Sequence, residues 1–182
     1  MSRRSRMVQR VGGLAVIFGL LAPGPWAAGG PGYRGPFGFG RVPSETEIRA
    51  RDIAVGPDGA GLPPGRGTVS MGEPVYQAKC VACHGATGTE GPMDKLVGEK
   101  LPVKTIGSFW PYATTIFDYI RRAQPFNQPG SLTDDEVYAL TAWLLFKNKI
   151  IVADQVIDAE TLPKVQMPNR DGFVPDPRPD VD

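Results

Sequence analysis

The side chains of this chain that are best suited to chemistry lie within five residues, Cys80-Val81-Ala82-Cys83-His84. The 182-residue chain contains two cysteines and one histidine, and all three belong to this segment. Cys-x-x-Cys-His is the attachment signature of c-type haem. Two thiols about one helical turn apart can each add to a vinyl group at the same porphyrin edge, and the next residue then presents an imidazole to the iron. The segment therefore predicts one covalent haem c, attached through Cys80 and Cys83, with His84 as an axial iron ligand.

Three other uses of this segment compete with haem attachment. A structural zinc site takes four ligands, and the fourth would have to be a carboxylate because the segment exhausts the cysteines and histidines of the chain. A thioredoxin-type redox pair lies in a βαβ context, and no such pattern surrounds the segment. A plain disulfide leaves the apolar loops unexplained. Haem attachment fits best, and a single histidine excludes ligation of the iron by two histidines of this chain.

Three helices are predicted to position the segment. A capping box at Ser70-Met71-Gly72-Glu73 predicts a helix that runs into Cys80. A second helix is predicted at about residues 110–123, where apolar residues recur at helical spacing. The capping box Thr133-Asp134-Asp135-Glu136 predicts a third helix at 134–147. No long stretch alternates apolar and polar residues as a β-strand would. The predicted fold is therefore all-α, with about three main helices wrapped around one covalent haem and with long loops. The porphyrin would add apolar mass to a small core.

The first 28 residues have the layout of a secretory signal peptide. They contain four arginines and no acid, and an apolar run from Val11 to Ala22 leads to small residues around Ala27 and Ala28. A spanning helix needs about 20 apolar residues, so this run is too short for one. We therefore expect cleavage rather than a retained membrane anchor, and a periplasmic product with no membrane span.

Charge and composition predict the remaining organisation. Without the four leader arginines the chain has 16 basic and 19 acidic residues, which does not resemble the basic surface of a nucleic-acid-binding protein. Residues 29–68 are dense in glycine and proline and are predicted to form a linker and N-terminal extension. The cytochrome domain is predicted at 69–176, followed by a flexible tail at 177–182.

Three stretches outside the haem motif resemble one group of bacterial cytochromes. They read GSFWPYATTIFDYIRRA at 107–123, LTDDEVYAL at 132–140 and MPNRDGF at 167–173. These stretches are similar to the c-type cytochrome subunits of sulfite dehydrogenases and to the SoxD-type cytochrome of sulfur oxidation, over roughly residues 50–176. The resemblance implies a class I cytochrome c fold and, with one attachment site, a mono-haem form. It also implies a partner subunit that carries a molybdenum cofactor and oxidises sulfur compounds.

The resemblance also bears on the two axial positions of the iron. In class I cytochromes c a proline carbonyl holds the ligand histidine, and Pro92 is the candidate here. The axial methionine of that class usually precedes the C-terminal helix, where this chain has Gln124. Of the three methionines after the leader, Met71 opens the first predicted helix and Met93 adjoins Pro92 on the wrong side of the iron. We therefore predict Met167 as the distal ligand, with Gln124 or an open position with water as the alternatives.

Two functional hypotheses follow. The first is an electron-transfer subunit, with no catalytic residue and no enzyme activity of its own, that accepts electrons from a molybdenum sulfite or sulfur-compound dehydrogenase subunit. It would pass them to a downstream cytochrome or oxidase. The second is a free mono-haem carrier that serves several periplasmic dehydrogenases or a terminal oxidase. A haem enzyme or gas sensor becomes relevant only with an open sixth position. No nucleic-acid partner is expected.

Overall fold

A computed structural model describes residues 39–98 and 102–178 of the chain. The signal peptide predicted over residues 1–28 lies outside them. The chain divides into two compact units, residues 1–47 and 48–182, and all predicted site residues belong to the second unit. Among the described residues, no helix is long and apolar enough to cross a membrane.

The described residues are mostly helical, as the sequence predicts. The helices are α1 (Glu45–Arg51), α2 (Val69–Lys79), α3 (Val81–His84), α4 (Ile106–Phe109), α5 (Ala113–Ala123) and α6 (Asp134–Lys147). Two short strands, β1 (Arg66–Gly67) and β2 (Ile157–Asp158), pair antiparallel, and a 3-10 helix covers Leu162–Lys164. The three longest helices are the three that the sequence predicts.

Helix α6 forms the centre of the core, because every residue from 137 to 145 is buried. Helix α2 packs closely on it. A Cβ atom on Gly72 would lie 2.1 Å from the carbonyl oxygen of Ala139, so only glycine permits this approach. Next to this contact the ring of Tyr76 stacks on the indole of Trp143, with 3.8 Å between ring centroids. Helix α2 thus leads from the core directly into the Cys80 segment.

The helix starts confirm one sequence prediction and correct two others. Thr133 and Glu136 form the predicted capping box of α6. Helix α2 begins two residues earlier than predicted, because the hydroxyl of Thr68, not that of Ser70, accepts the N–H of Met71. Helix α5 begins at Ala113 instead of residue 110. The residue before a proline disfavours the helical conformation, and Trp110, which precedes Pro111, is extended, with a ψ of 130°.

The segment of residues 53–67, here called the strap, packs against the helices although it is dense in glycine and proline. The N–H of Val55 donates to Asp118 of α5 over 2.9 Å. The hydroxyl of Tyr138, in α6, donates to the carbonyl of Pro63 over 2.8 Å. Strand β1 ends the strap and pairs with β2. The packed structure therefore extends N-terminal to residue 69, while the domain boundaries drawn from the sequence stay a prediction.

Candidate haem-attachment site

The Cys80–His84 segment, here called the attachment turn, forms a single helical turn at the end of α2. Cys80 follows the last residue of α2 and precedes α3, with a φ of −123° that separates the two helices. Its carbonyl oxygen accepts the N–H of Cys83 over 3.1 Å and that of His84 over 3.0 Å. The turn therefore brings the two thiols and the imidazole together in the order that haem attachment requires. Neither cysteine is in a disulfide; Cys80 is half-buried and Cys83 is exposed.

The His84 imidazole is oriented by a backbone carbonyl. Its Nδ1 lies 2.9 Å from the carbonyl oxygen of Asp94. A carbonyl can only accept a hydrogen bond, so Nδ1 carries the proton and Nε2 keeps its lone pair for a metal. The prediction that Pro92 supplies this carbonyl is wrong. The loop is instead held at Met93, whose N–H donates to the carbonyl of Cys83 over 3.0 Å, and the next residue provides the acceptor.

Glycines allow the loop after His84 to lie against the attachment turn. A Cβ atom on Gly91 would lie 2.2 Å from the carbonyl oxygen of Cys83 and 2.5 Å from the Cα of His84. Gly85, with a φ of +77°, takes a backbone conformation that other residues rarely adopt. The hydroxyl of Tyr76 donates to the Gly85 carbonyl over 2.8 Å. The loop at Gly91 and the hydroxyl of Tyr76 therefore hold the helix that carries His84 from two sides.

The structure disfavours the other uses of the segment. Within residues 39–98 and 102–178, no three Cys, His, Asp or Glu side chains converge in a way that could hold a metal ion. Cys80 lies between two helices and Cys83 lies within the second, whereas a thioredoxin-type pair lies between a strand and a helix.

The three candidate methionines differ sharply in burial. Met71 is 45% exposed and Met93 is 58% exposed, whereas Met167 is 3% exposed and belongs to the hydrophobic core. Gln124 lies at the C-terminal end of α5, where its backbone N–H donates to Ile120. Among these side chains only Met167 is sheltered from solvent, as a stable sulfur–iron bond requires.

Residues that the sequence does not single out anchor the loop of residues 162–173, here called the Met167 loop. The side chain of Asn169 donates to the carbonyl of Phe109 over 2.7 Å. The guanidinium of Arg170 lies 4.4 Å from the ring centroid of Tyr112, within reach of a cation–π interaction. Asn169 and Arg170 lie in the MPNRDGF stretch, and Tyr112 lies in the stretch at 107–123. The similarity of both stretches to one family was the sequence signal that could have indicated these anchoring residues.

The described residues line cavities of about 660 and 480 Å³. The larger is lined by residues of the strap and of the Met167 loop, and the smaller by residues that follow α6. Cys80, Cys83 and His84 line neither. The chemistry of the turn therefore rests on its donor set: two cysteine sulfurs outside any disulfide, and an imidazole with its proton on Nδ1. This donor set fits haem c.

Comparison with known proteins gives two matches. The family model described as cytochrome c oxidase, cbb3-type, subunit III matches residues 67–144. A chain in the crystal structure of the sulfane dehydrogenase SoxCD from Paracoccus pantotrophus is 42% identical, with a TM-score of 0.71. The match covers 78% of this chain and 73% of that one. The search of curated proteins finds no significant match.

A helical fold built around a Cys-x-x-Cys-His turn defines a class I c-type cytochrome. Proteins of this class bind haem c and transfer electrons. The identity and coverage are high enough to go further: the chain belongs to the SoxD-like cytochromes c.

Proposed function

We propose that this chain is the haem-bearing electron-transfer subunit of a dehydrogenase that oxidises sulfur compounds at a molybdenum cofactor. The observation that carries the proposal is the 42% identity to a chain of the sulfane dehydrogenase SoxCD structure. In this role the chain receives electrons from the molybdenum subunit and passes them to a downstream cytochrome or oxidase. It performs no bond chemistry itself and has no catalytic residue.

The proposed site holds one haem c through thioether bonds to Cys80 and Cys83. When bound, haem supplies a one-electron redox couple. His84 ligates through Nε2, because the Asp94 carbonyl holds the proton on Nδ1. Met167 is the proposed distal ligand, supported by its burial at 3% exposure. A thioether opposite an imidazole raises the reduction potential, which suits an acceptor of electrons from a dehydrogenase.

The proposed location is the periplasm. Residues 1–28 are the proposed signal peptide and are removed on export. The proposed cytochrome domain covers residues 69–176, with 29–68 as linker and extension and 177–182 as a tail. The contacts of the strap with α5 and α6 indicate that the second half of the extension folds with the domain.

Electron transfer from a partner subunit tests the proposal directly. The exported cytochrome is mixed with sulfite or thiosulfate, first alone and then with a co-expressed molybdenum subunit, and haem reduction is followed by absorbance. We expect reduction only with the partner, together with co-purification of the two chains. Rapid turnover by the cytochrome alone would refute the proposal. Equal reduction by unrelated dehydrogenases, without complex formation, would favour a free carrier instead.

A further inference from the structure

The Met167 loop follows a segment with little regular structure of its own. After α6 the chain forms only the two-residue strand β2 and the 3-10 helix Leu162–Lys164 before it reaches Met167. Strand β2 is held by the strap, since Gly67 pairs with Ile157 and Arg66 with Asp158. The strap therefore contacts the segment that leads to the proposed distal ligand, in addition to the core packing of Ile151, Leu162 and Val165 in that segment.

The strap contacts the same segment again, four residues before Met167. Gly59 has a φ of +91°, and a Cβ atom there would lie 2.5 Å from Cγ of Pro163. The turn around Gly59 is itself closed, because its N–H donates to the Gly56 carbonyl over 3.0 Å and its carbonyl accepts the N–H of Leu62 over 3.1 Å. A closed turn thus lies directly against the proline ring, with no space for a side chain.

Beside this contact the strap and the loop are not packed. The cavity of about 660 Å³ is lined by Pro57 and Asp58 of the strap together with Pro163, Lys164 and Arg170. The contact between Gly59 and Pro163 therefore lies at the edge of an opening between the two segments. Such a contact limits how far the loop can move toward the strap.

The strap can oppose movement of the Met167 loop because hydrogen bonds connect the strap to the helices. Val55 donates to Asp118 of α5, and Tyr138 of α6 donates to Pro63. Asp118 is buried and also pairs with Arg122. The strap thus connects two core helices to the segment that carries Met167, while Asn169 fixes the far side of the loop to α4.

We propose that the strap is a positioning element for the distal ligand, and that the contact of Gly59 with Pro163 determines how firmly Met167 is held on the iron. The inference rests on the proposed role of Met167. Gly59 acts through Pro163 and the loop, and touches neither the ligand nor the haem. A displaced turn at Gly59 moves Pro163, and the loop then withdraws the thioether.

Gly59→Ala tests the inference in the exported, haem-loaded protein. The new methyl group would overlap the Pro163 ring, and overpacking of this kind displaces neighbouring segments. We expect the ratio of Met-ligated to Met-free ferric protein to fall at least about tenfold, which corresponds to about 1.4 kcal/mol. The readouts are the weak far-red sulfur-to-iron absorption band and the reduction potential, and both should decrease. Haem attachment should not change.

Two further variants separate the contact from backbone strain. Gly130 has a φ of +73° and nothing within 4 Å of a hypothetical Cβ atom, so Gly130→Ala introduces similar strain without a clash and should leave the band intact. Gly59→Ala combined with Pro163→Ala removes the overlapping Cγ. The nearest remaining side-chain atom of residue 163, Cβ, is 3.4 Å away, so this double variant should recover the band.

The outcomes distinguish this inference from the proposed function. If Met167→Ala abolishes the band but Gly59→Ala leaves both band and potential unchanged, the strap does not position the ligand and the inference is wrong. An equal effect of Gly130→Ala, or no recovery in the double variant, also overturns it. If Met167→Ala has no effect on the band, the ligand assignment itself fails. Should Gly59→Ala not fold, recovery of a folded, Met-ligated double variant would still support the contact.

Discussion

The imidazole of His84 donates its Nδ1–H to the backbone carbonyl of Asp94 across 2.9 Å. This hydrogen bond fixes the tautomer and the ring plane of the proposed proximal ligand. It also increases the basicity of the ligating nitrogen, which stabilises ferric iron relative to ferrous iron. The acceptor belongs to a loop that lies against the attachment turn at Gly91, where no side chain could be accommodated.

Gly91→Ala should break this arrangement. Its Cβ would lie 2.2 Å from the Cys83 carbonyl oxygen, so the loop must move away and the Asp94 carbonyl must leave His84. We expect a destabilisation of about 1–3 kcal/mol from overpacking and a higher reduction potential from the weaker hydrogen bond. Urea unfolding and potentiometric titration measure the two effects. Pro92→Ala is the matched control, because the His84 acceptor is Asp94, and it should leave the potential unchanged.

Covalent attachment should depend on the two thiols and yield one haem per chain. Mass spectrometry of the exported protein should show one added haem, retained after acid-acetone extraction. Cys80→Ala and Cys83→Ala should each reduce attachment, and the double variant should abolish it. Haem that is fully extractable from the unaltered protein, or zinc in its place, would contradict the assignment of this turn.

Met167→Ala should remove the proposed distal ligand. The far-red sulfur-to-iron band should disappear from the oxidised protein, and the reduction potential should fall, because the thioether favours ferrous iron. Met71→Ala and Met93→Ala are matched controls, since both side chains are exposed, and neither should alter the band. A spectrum that changes with Gln124→Ala but not with Met167→Ala would transfer the role to Gln124.

Tyr76 should make the protein less stable at high pH. Burial raises the pKa of its hydroxyl to about 12 from the ordinary value of 10.0. Below pH 10 the phenol is neutral in both states, so its contribution is constant. Between pH 10 and 12 the unfolded chain loses the proton while the folded one retains it, so stability falls as pH rises. Tyr76→Phe should reduce this loss, measured by urea unfolding from neutral pH to pH 12.

The same variant should also cost about 0.5–1.5 kcal/mol at neutral pH, because the Gly85 carbonyl loses its donor. Tyr119→Phe is the control, since Tyr119 is 49% exposed and should change neither value. Burial also raises the pKa of Tyr138 to about 12. The Tyr76→Phe variant should therefore still lose part of its stability as the pH rises. An unchanged pH profile after Tyr76→Phe would show that this hydroxyl is not protected in the folded state.

The structural features that depend only on residues close together in the sequence were predictable from the sequence. The attachment turn is one helical turn long, and its three reactive side chains are specified by type and spacing. The Thr133 capping box and helix α6 are likewise local, because cap and first turn are separated by only three residues. Local signals failed at the start of α2, since the hydroxyl of either Thr68 or Ser70 can cap a helix and Thr68 is the one that does so.

The tertiary structure alone decided which distant groups meet. The residue that bonds His84 depends on how closely the loop at Gly91 can approach the turn, and nothing in the spacing distinguishes the carbonyl of Asp94 from that of Pro92. The strap reads as a linker by composition, yet it is held by side chains of α5 and α6 more than 60 residues away. Met167 and Met93 are the same residue type, and only packing buries one and exposes the other. The composition of a segment indicates how much conformational entropy is lost when it becomes ordered. The contacts that offset this loss exist only once the chain has folded.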